Sequence, residues 1–214
     1  MTKKKQGGKL SVTQFKNLLN ASYDDKADNI DGYKKDNSVS TKTSKVYYNP
    51  ETKHTVVAHK GTEGITDWAN NAVYGLLGEK YYKKTKRYKE AKAVQENAVR
   101  KYGKDGLTTI GHSQGGLQAE LLGKTGNETI TLNKATRPSM LSNTKNRNQY
   151  DIRTSNDIVS GLNPFQTRNG KEITIKSKTI DPLKSHTIGS LDNLADDMMI
   201  GRGIIVHPVV YPSL

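Results

Sequence analysis

Apolar and polar residues alternate along several short segments in a pattern that predicts strands. Residues 45–48 and 54–59 are rich in β-branched and aromatic side chains, and a turn signal at residues 49–52 separates them, which predicts a hairpin. Four later apolar runs predict further strands, at residues 107–110, 129–132, 149–153 and 173–175.

Helical spacing of apolar residues predicts helices between these strands. Ser11 and Gln14 have the spacing of a capping box, and Phe15 and Leu18 follow at helical intervals. Other helices are predicted at residues 67–77, 83–102, 114–122 and 190–199, the last capped by Ser190. Strands that alternate with helices imply an α/β fold with a mainly parallel central sheet flanked by helices.

The remaining segments are polar. Residues 1–10 are predicted to form a loose basic N-terminal tail, and residues 24–45 are predicted to be mostly irregular. A chain of 214 residues with no internal repeat is predicted to form a single domain over residues 1–214.

Composition narrows the chemistry and the compartment. The chain has no cysteine, which excludes disulfides, thiolate metal sites and a cysteine nucleophile. It has neither the apolar run of a signal peptide nor a membrane-spanning stretch, so we expect a protein that is cytoplasmic or packaged in a particle assembled inside the cell. The net charge of +13 favours anionic surfaces as partners.

A G-x-S-x-G pentapeptide lies between the predicted strand at 107–110 and the helix at 114–122. Gly111-His112-Ser113-Gln114-Gly115 has the residue types of a nucleophile elbow, in which a sharp turn exposes the serine hydroxyl and side chains at the flanking positions would clash. The strand before it and the helix after it are the context that supports this interpretation. Ser113 is therefore the predicted nucleophile of an α/β-hydrolase-like serine ester hydrolase.

The order of a hydrolase triad along the chain, serine then acid then histidine, limits the partners of Ser113. His186 and His207 follow the serine, and we favour His186 because it lies in a polar loop, whereas His207 lies in an apolar tail. Three carboxylates lie between Ser113 and His186, namely Asp151, Asp157 and Asp181. We favour Asp157 because it follows a predicted strand directly, where it would hold one tautomer of His186.

Three blocks of this sequence, taken in order, resemble the class 3 (fungal-type) lipase family of the α/β-hydrolase superfamily. Residues 56–68 are similar to that family's strand, oxyanion loop and downstream Asp-Trp, and residues 110–116 are similar to its GHSLGG elbow. Residues 154–159 resemble its acid block, and His186 follows at a suitable distance. The resemblance covers roughly residues 46–190.

The resemblance implies the rest of the site. The backbone N–H groups of Thr62 and Gln114 would form the oxyanion hole, and an acyl-enzyme on Ser113 would be cleaved by water without a metal or cofactor. The chain departs from the family in having Lys60 where an arginine is usual and Gln114 where a leucine is common. Relatives carry a mobile lid after Thr62, so the resemblance implies lid or lipid contacts at Ile65, Trp68, Val73, Leu76 and Leu77.

Residues 80–89 combine basic side chains with tyrosines. This pattern suits an anionic lipid surface or single-stranded nucleic acid, and it equally suits a solvated helix face. The predicted function is hydrolysis of lipid carboxylic esters by a lipase or phospholipase at an anionic membrane surface, and nucleic acid is disfavoured because no binding motif is present. Similar reading frames occur in large DNA viruses, so the alternative is a lipase-fold minor component of a virion, with capsid proteins as partners and little or no activity.

Overall fold

A twisted sheet of eight strands forms the centre of the computed structural model, which describes residues 9–63, 79–135, 148–157, 159, 170–196 and 198–200. The strands of this sheet lie in their order along the chain, β2 to β9. Their bounds are β2 Asn29–Ile30, β3 Tyr33–Lys35, β4 Ser44–Asn49, β5 His54–His59, β6 Leu107–His112, β7 Glu128–Leu132, β8 Gln149–Thr154 and β9 Lys171–Ile175.

The sheet is antiparallel from β2 to β5 and parallel from β5 to β9. In the parallel part His59 pairs with Gly111, and His112 pairs with Leu132. The carboxyl ends of β5 to β9 therefore meet at one edge of the sheet, and the loops that leave this edge can share a site.

Helices cover both faces of the sheet. They are α1 Val12–Tyr23, α2 Glu79–Tyr82, α3 Lys86–Tyr102, α4 Gln114–Leu122 and α5 Pro182–Ser185, with 3₁₀ turns at Gly123–Thr125 and Ile188–Asn193. Along β5 the side chains alternate, so Val56 and Ala58 pack in the cluster of α1, whereas Val57 packs in the cluster of α3. The mainly parallel α/β architecture predicted from the sequence is confirmed.

A second, two-stranded sheet joins distant parts of the chain. Strand β1 Leu10–Ser11 pairs antiparallel with β10 Met199–Ile200. Ser11 then caps α1 in a complete capping box with Gln14, as the sequence predicts. Leu10 is fully buried in this arrangement, so it does not belong to the predicted loose tail, and residues 1–8 lie outside the described residues.

Two local predictions are wrong. Residues 24–45 hold β2, β3 and the start of β4, because their short segments extend the antiparallel edge of the sheet. In the described part of residues 190–199 the predicted helix is absent: a 3₁₀ turn ends at Asn193, and Met199 belongs to β10. Pairing with β1 outweighs the helical composition of this segment. The predicted helix at residues 67–77 lies outside the described residues.

Candidate active site

Ser113 lies between the end of β6 and the start of α4, at the edge where the parallel strands end. Its backbone has φ 56° and ψ −124°, a conformation that residues with a side chain rarely adopt. Glycines on either side allow the close crossing that this turn needs. A Cβ at Gly111 would lie 2.1 Å from the carbonyl oxygen of Gly115, and a Cβ at Gly115 would lie 2.0 Å from that of His59.

Hydrogen bonds from neighbouring strands and from α4 hold the turn. The Ser113 amide donates to the carbonyl of Leu132 at 3.1 Å, and the Ser113 carbonyl accepts from the amides of Gly116 at 3.0 Å and Ala135 at 2.9 Å. The turn is thus fixed by β7 and by the first turn of the following helix. Ser113 has the position and the strained backbone expected of a nucleophile elbow.

His186 and Asp157 form a buried pair beside this turn. His186 Nδ1 lies 2.7 Å from Asp157 Oδ1, and the two residues are 7% and 4% exposed. Because a carboxylate can only accept, the imidazole donates from Nδ1, which leaves its Nε2 free of that proton. Asp157 follows β8, and its amide donates to the carbonyl of Thr154 at 3.1 Å.

The other two carboxylates have different partners. Asp151 accepts from Lys134 Nζ at 2.6 Å, and Lys134 also lies 2.9 Å from Glu120 of α4. This buried ion group ties β8 to α4 beneath the elbow. Asp181 caps α5, accepting from the amide of Leu183 at 2.9 Å. Only Asp157, of the three predicted alternatives, contacts His186 in the described part of the chain; His207 lies outside it.

His112, the residue before Ser113, links the elbow to the His186 loop. Its Nε2 donates to the His186 carbonyl at 2.6 Å, and the two rings are 4.9 Å apart between centroids. Its Nδ1 accepts from the Tyr23 hydroxyl at 2.9 Å, which in turn accepts from the Gly61 amide at 2.8 Å. Burial lowers the pKa of His112 to about 4 and raises that of Tyr23 to about 12, so both are neutral near pH 7.

The loop after β5 passes directly over the elbow. A Cβ at Gly61 would lie 2.8 Å from the His112 carbonyl oxygen and 3.1 Å from Ser113 Cβ, so only glycine fits there without displacement. Thr62 Oγ1 donates to Gln114 Oε1 at 3.0 Å. The glutamine that departs from the class 3 pattern therefore contacts the other residue of the predicted oxyanion hole.

Arg87 of α3 holds the same loop from behind. Its Nη2 donates to the carbonyl of Gly61 at 2.9 Å and also to the carbonyl of Lys60. The interpretation of residues 80–89 as an exposed basic and aromatic stripe is wrong in part, because Tyr82 and Tyr88 are buried against α4 and Arg87 points into the protein. Lys60, the second departure, pairs with Glu63.

The predicted lid residues Ile65, Trp68, Val73, Leu76 and Leu77 lie outside the described residues. Within the described ranges, no group of three or more histidine, aspartate or glutamate side chains could hold a metal ion. A search of the same ranges finds no helix with the length and apolar character needed to cross a bilayer.

The sheet order and the strand–turn–helix around Ser113 define an α/β-hydrolase fold. The search of solved structures agrees, since the chain is similar to a triacylglycerol lipase from Penicillium expansum, with a TM-score of 0.50 and 14% identity, over 89% of this chain and 81% of that one. Residues 16–176 match the family model of a phospholipase-like, Tle-like phospholipase domain, and the chain belongs to that family. No curated protein sequence matches it.

The family and the fold together place the chain among the lipid ester hydrolases. The predicted membership of the lipase families is thereby confirmed. Sequence reasoning missed Tyr23, Arg87 and Lys134, which support the candidate site from α1, from α3 and from the loop after β7. Their contacts cross long stretches of sequence, so no local pattern marks them.

Proposed function

We propose that the chain is a serine phospholipase that cleaves the carboxylic ester bonds of phospholipids through an acyl-enzyme on Ser113. The observation that carries this proposal is the buried 2.7 Å hydrogen bond between His186 and Asp157. His112, the residue before Ser113, joins this pair to the elbow by donating to the His186 carbonyl. That bond fixes the imidazole tautomer whose Nε2 can accept a proton. The phospholipase-like family supports phospholipid as the ester.

The reaction proceeds in two halves. The Ser113 hydroxyl oxygen attacks the ester carbonyl carbon while its proton passes to His186 Nε2, and Asp157 stabilises the resulting imidazolium. The C–O bond to the alcohol then breaks, and the alcohol leaves with the proton from Nε2. In the second half water loses a proton to Nε2 and attacks the carbonyl carbon of the acyl-enzyme. The C–O bond to Ser113 then breaks, Nε2 returns the proton to the Ser113 oxygen, and the carboxylic acid leaves.

The amides of Thr62 and Gln114 are proposed to donate to the oxyanion in both halves. The Thr62–Gln114 side-chain hydrogen bond supports this role because it keeps the loop after β5 at the N-terminus of α4. Arg87 and Tyr23 hold the same loop from the protein side. Loss of one oxyanion donor typically lowers turnover by about 10²–10³.

A fluorophosphonate probe tests the nucleophile, and a phospholipid panel tests the substrate. We expect wild-type protein to be labelled and to release fatty acid from phospholipid vesicles, and Ser113→Ala to lose both properties. Ser38→Ala is the matched control, because Ser38 is exposed on the connection between β3 and β4. Labelling that persists in Ser113→Ala would overturn the assignment of the nucleophile. An unlabelled, inactive wild-type protein would favour the alternative of an inactive virion component.

A further inference from the structure

The segment 176–185, which comprises the loop after β9 and the short helix α5, displays apolar side chains to solvent. Ile180 is 94% exposed and Leu183 is 44% exposed, and the adjoining Pro182 is also exposed. In the described part of the chain only Tyr81, at 57%, joins them as an exposed large hydrophobic residue. A single exposed aliphatic residue is ordinary, but two of them three positions apart, beside a buried histidine, are typical of a surface that contacts a partner.

The hydroxyl side chains of Ser177 and Ser185 turn toward the protein, although the aliphatic side chains of this segment face solvent. Ser185 is 1% exposed, and its hydroxyl lies 2.8 Å from that of Ser177. Ser177 Oγ donates to the Thr179 carbonyl at 2.7 Å, and Asn156 Nδ2 donates to the same carbonyl at 3.1 Å. On the other side of Ile180 the Asp181 carbonyl lies 3.0 Å from Ser185 Oγ, so the backbone is held on both sides and the exposure of Ile180 is imposed by the loop.

Positive charge surrounds the apolar pair. The same segment exposes three lysines, Lys176, Lys178 and Lys184. Asp181 is the acidic residue among them, and its carboxylate already accepts from the amides of Leu183 and Lys184 at the start of α5. We name Lys176, Lys178, Ile180, Leu183 and Lys184 the β9–α5 surface.

We propose that the β9–α5 surface docks the protein on an anionic phospholipid bilayer. Ile180 and Leu183 enter the boundary between headgroups and acyl chains, while the three lysines contact lipid phosphates. Burial of the aliphatic side chains and attraction of the lysines to the anionic surface both favour binding. Neither contribution alone gives stable binding, so the combination is the expected design.

Docking through the β9–α5 surface would bring the candidate site close to the ester bonds of the phospholipids. The loop runs directly into His186, whose ring pairs with Asp157 and whose carbonyl accepts from His112. The proposal rests on the proposed function only in taking phospholipid as the substrate. Vesicle binding can be measured without turnover, so the two proposals can fail separately.

Vesicle co-sedimentation tests the surface, using the full chain with Ser113→Ala so that the lipid stays intact. The vesicles contain phosphatidylcholine with or without phosphatidylglycerol. Two variants are compared. The first carries both Ile180→Ser and Leu183→Ser, and the second carries Lys176→Gln, Lys178→Gln and Lys184→Gln together. The control for the apolar variant is Tyr81→Ser. The control for the lysine variant carries Lys86→Gln, Lys89→Gln and Lys92→Gln at exposed positions of α3.

We expect each surface variant to weaken binding to phosphatidylglycerol vesicles at least tenfold, and each control to change it less than about twofold. Added salt should weaken binding of the parent chain more than that of the lysine variant. In the chain with Ser113 intact, the ratio of vesicle hydrolysis to hydrolysis of a water-soluble short-chain ester should fall with binding. Surface variants that bind like the parent, or control lysines that matter equally, would overturn the proposal. Vesicle binding that needs this surface in a protein without phospholipid turnover would sustain docking and refute the proposed function.

Discussion

Ser113 holds its backbone at φ 56°, ψ −124°, where a Cβ is crowded. Such a residue stores on the order of 1–3 kcal/mol of strain, which the surrounding hydrogen bonds to Leu132 and Ala135 sustain. This strain is part of the geometry of the turn, and it opposes the stability of the fold.

The strain predicts an unusual order of stabilities at position 113. The free energy of unfolding of Ser113→Gly should exceed that of Ser113→Ala by about 1 kcal/mol, and Ser113→Gly should unfold at a higher temperature. The reason is that the strain released exceeds the 0.5–1 kcal/mol entropy cost of glycine. Thermal unfolding of both variants measures the difference. The same pair of changes at Ser22, within α1, should show the opposite order because that backbone is helical. Equal stabilities at position 113 would contradict a strained elbow.

At the scale of elements, the loop after β5 depends on α3. Arg87 donates to two successive carbonyls of that loop, and within the described ranges no backbone amide donates to either of them. Lysine has a shorter reach and a more strongly hydrated charge, so it is a poor substitute at a mostly buried position. The placement of Thr62 near Ser113 therefore depends on a side chain of α3.

Arg87→Lys should lower kcat on a water-soluble ester about tenfold or more, with a smaller effect on KM. The reason is that a displaced loop loses oxyanion stabilisation, which acts in the transition state. Arg100→Lys is the matched control, since Arg100 is exposed in the last turn of the same helix. An Arg87→Lys enzyme with an unchanged kcat and a lowered unfolding temperature would show that the contact is only structural.

The elements that the sequence predicts well are those with a local signal. Ser11 and Gln14 mark the start of α1, and the glycines around Ser113 mark the elbow, because each pattern lies within a few residues. Asp157 was favoured from its place after a strand, and the structure puts it against His186.

Contacts between distant segments leave no such signal. Tyr82 lies among lysines and looks solvated in sequence, yet it packs on α4. Residues 190–199 have a helical composition, but the pairing of Met199 and Ile200 with β1 favours a strand at the end of this segment. The support of the site by Tyr23 and Arg87 could not be predicted for the same reason, since their partners lie 89 and 26 residues away.

At the scale of the whole molecule, three buried histidines make the fold sensitive to acid. Burial lowers the pKa of His54 and His112 to about 4 and that of His59 to about 3, against about 6.5 in an unfolded chain. Between pH 4 and 6.5 the unfolded chain therefore binds more protons than the folded one. The free energy of unfolding should fall as the pH falls through that window, by on the order of 2 kcal/mol per histidine.

Urea unfolding at several pH values between 4.5 and 7 measures this slope. His54 is the best residue to change, because it lies at the edge of the sheet opposite to Ser113, between the hydroxyls of Tyr33 at 2.6 Å and Thr108 at 2.9 Å. His54→Gln should lower stability at pH 7 but make its dependence on pH shallower. A slope identical to that of the wild type would show that His54 does not titrate on unfolding.

The pairing of β1 with β10 has a consequence for how the protein is made. The amides of Val12 and Thr13 at the start of α1 donate to the carbonyls of Met198 and Asp196, so this helix is seated by residues that are synthesised well after Ser113. Its other end carries Tyr23, which orders Gly61 and His112. A nascent chain thus contains the serine long before it can arrange the groups around it. The groups around Ser113 therefore reach their places only after β10 has been synthesised.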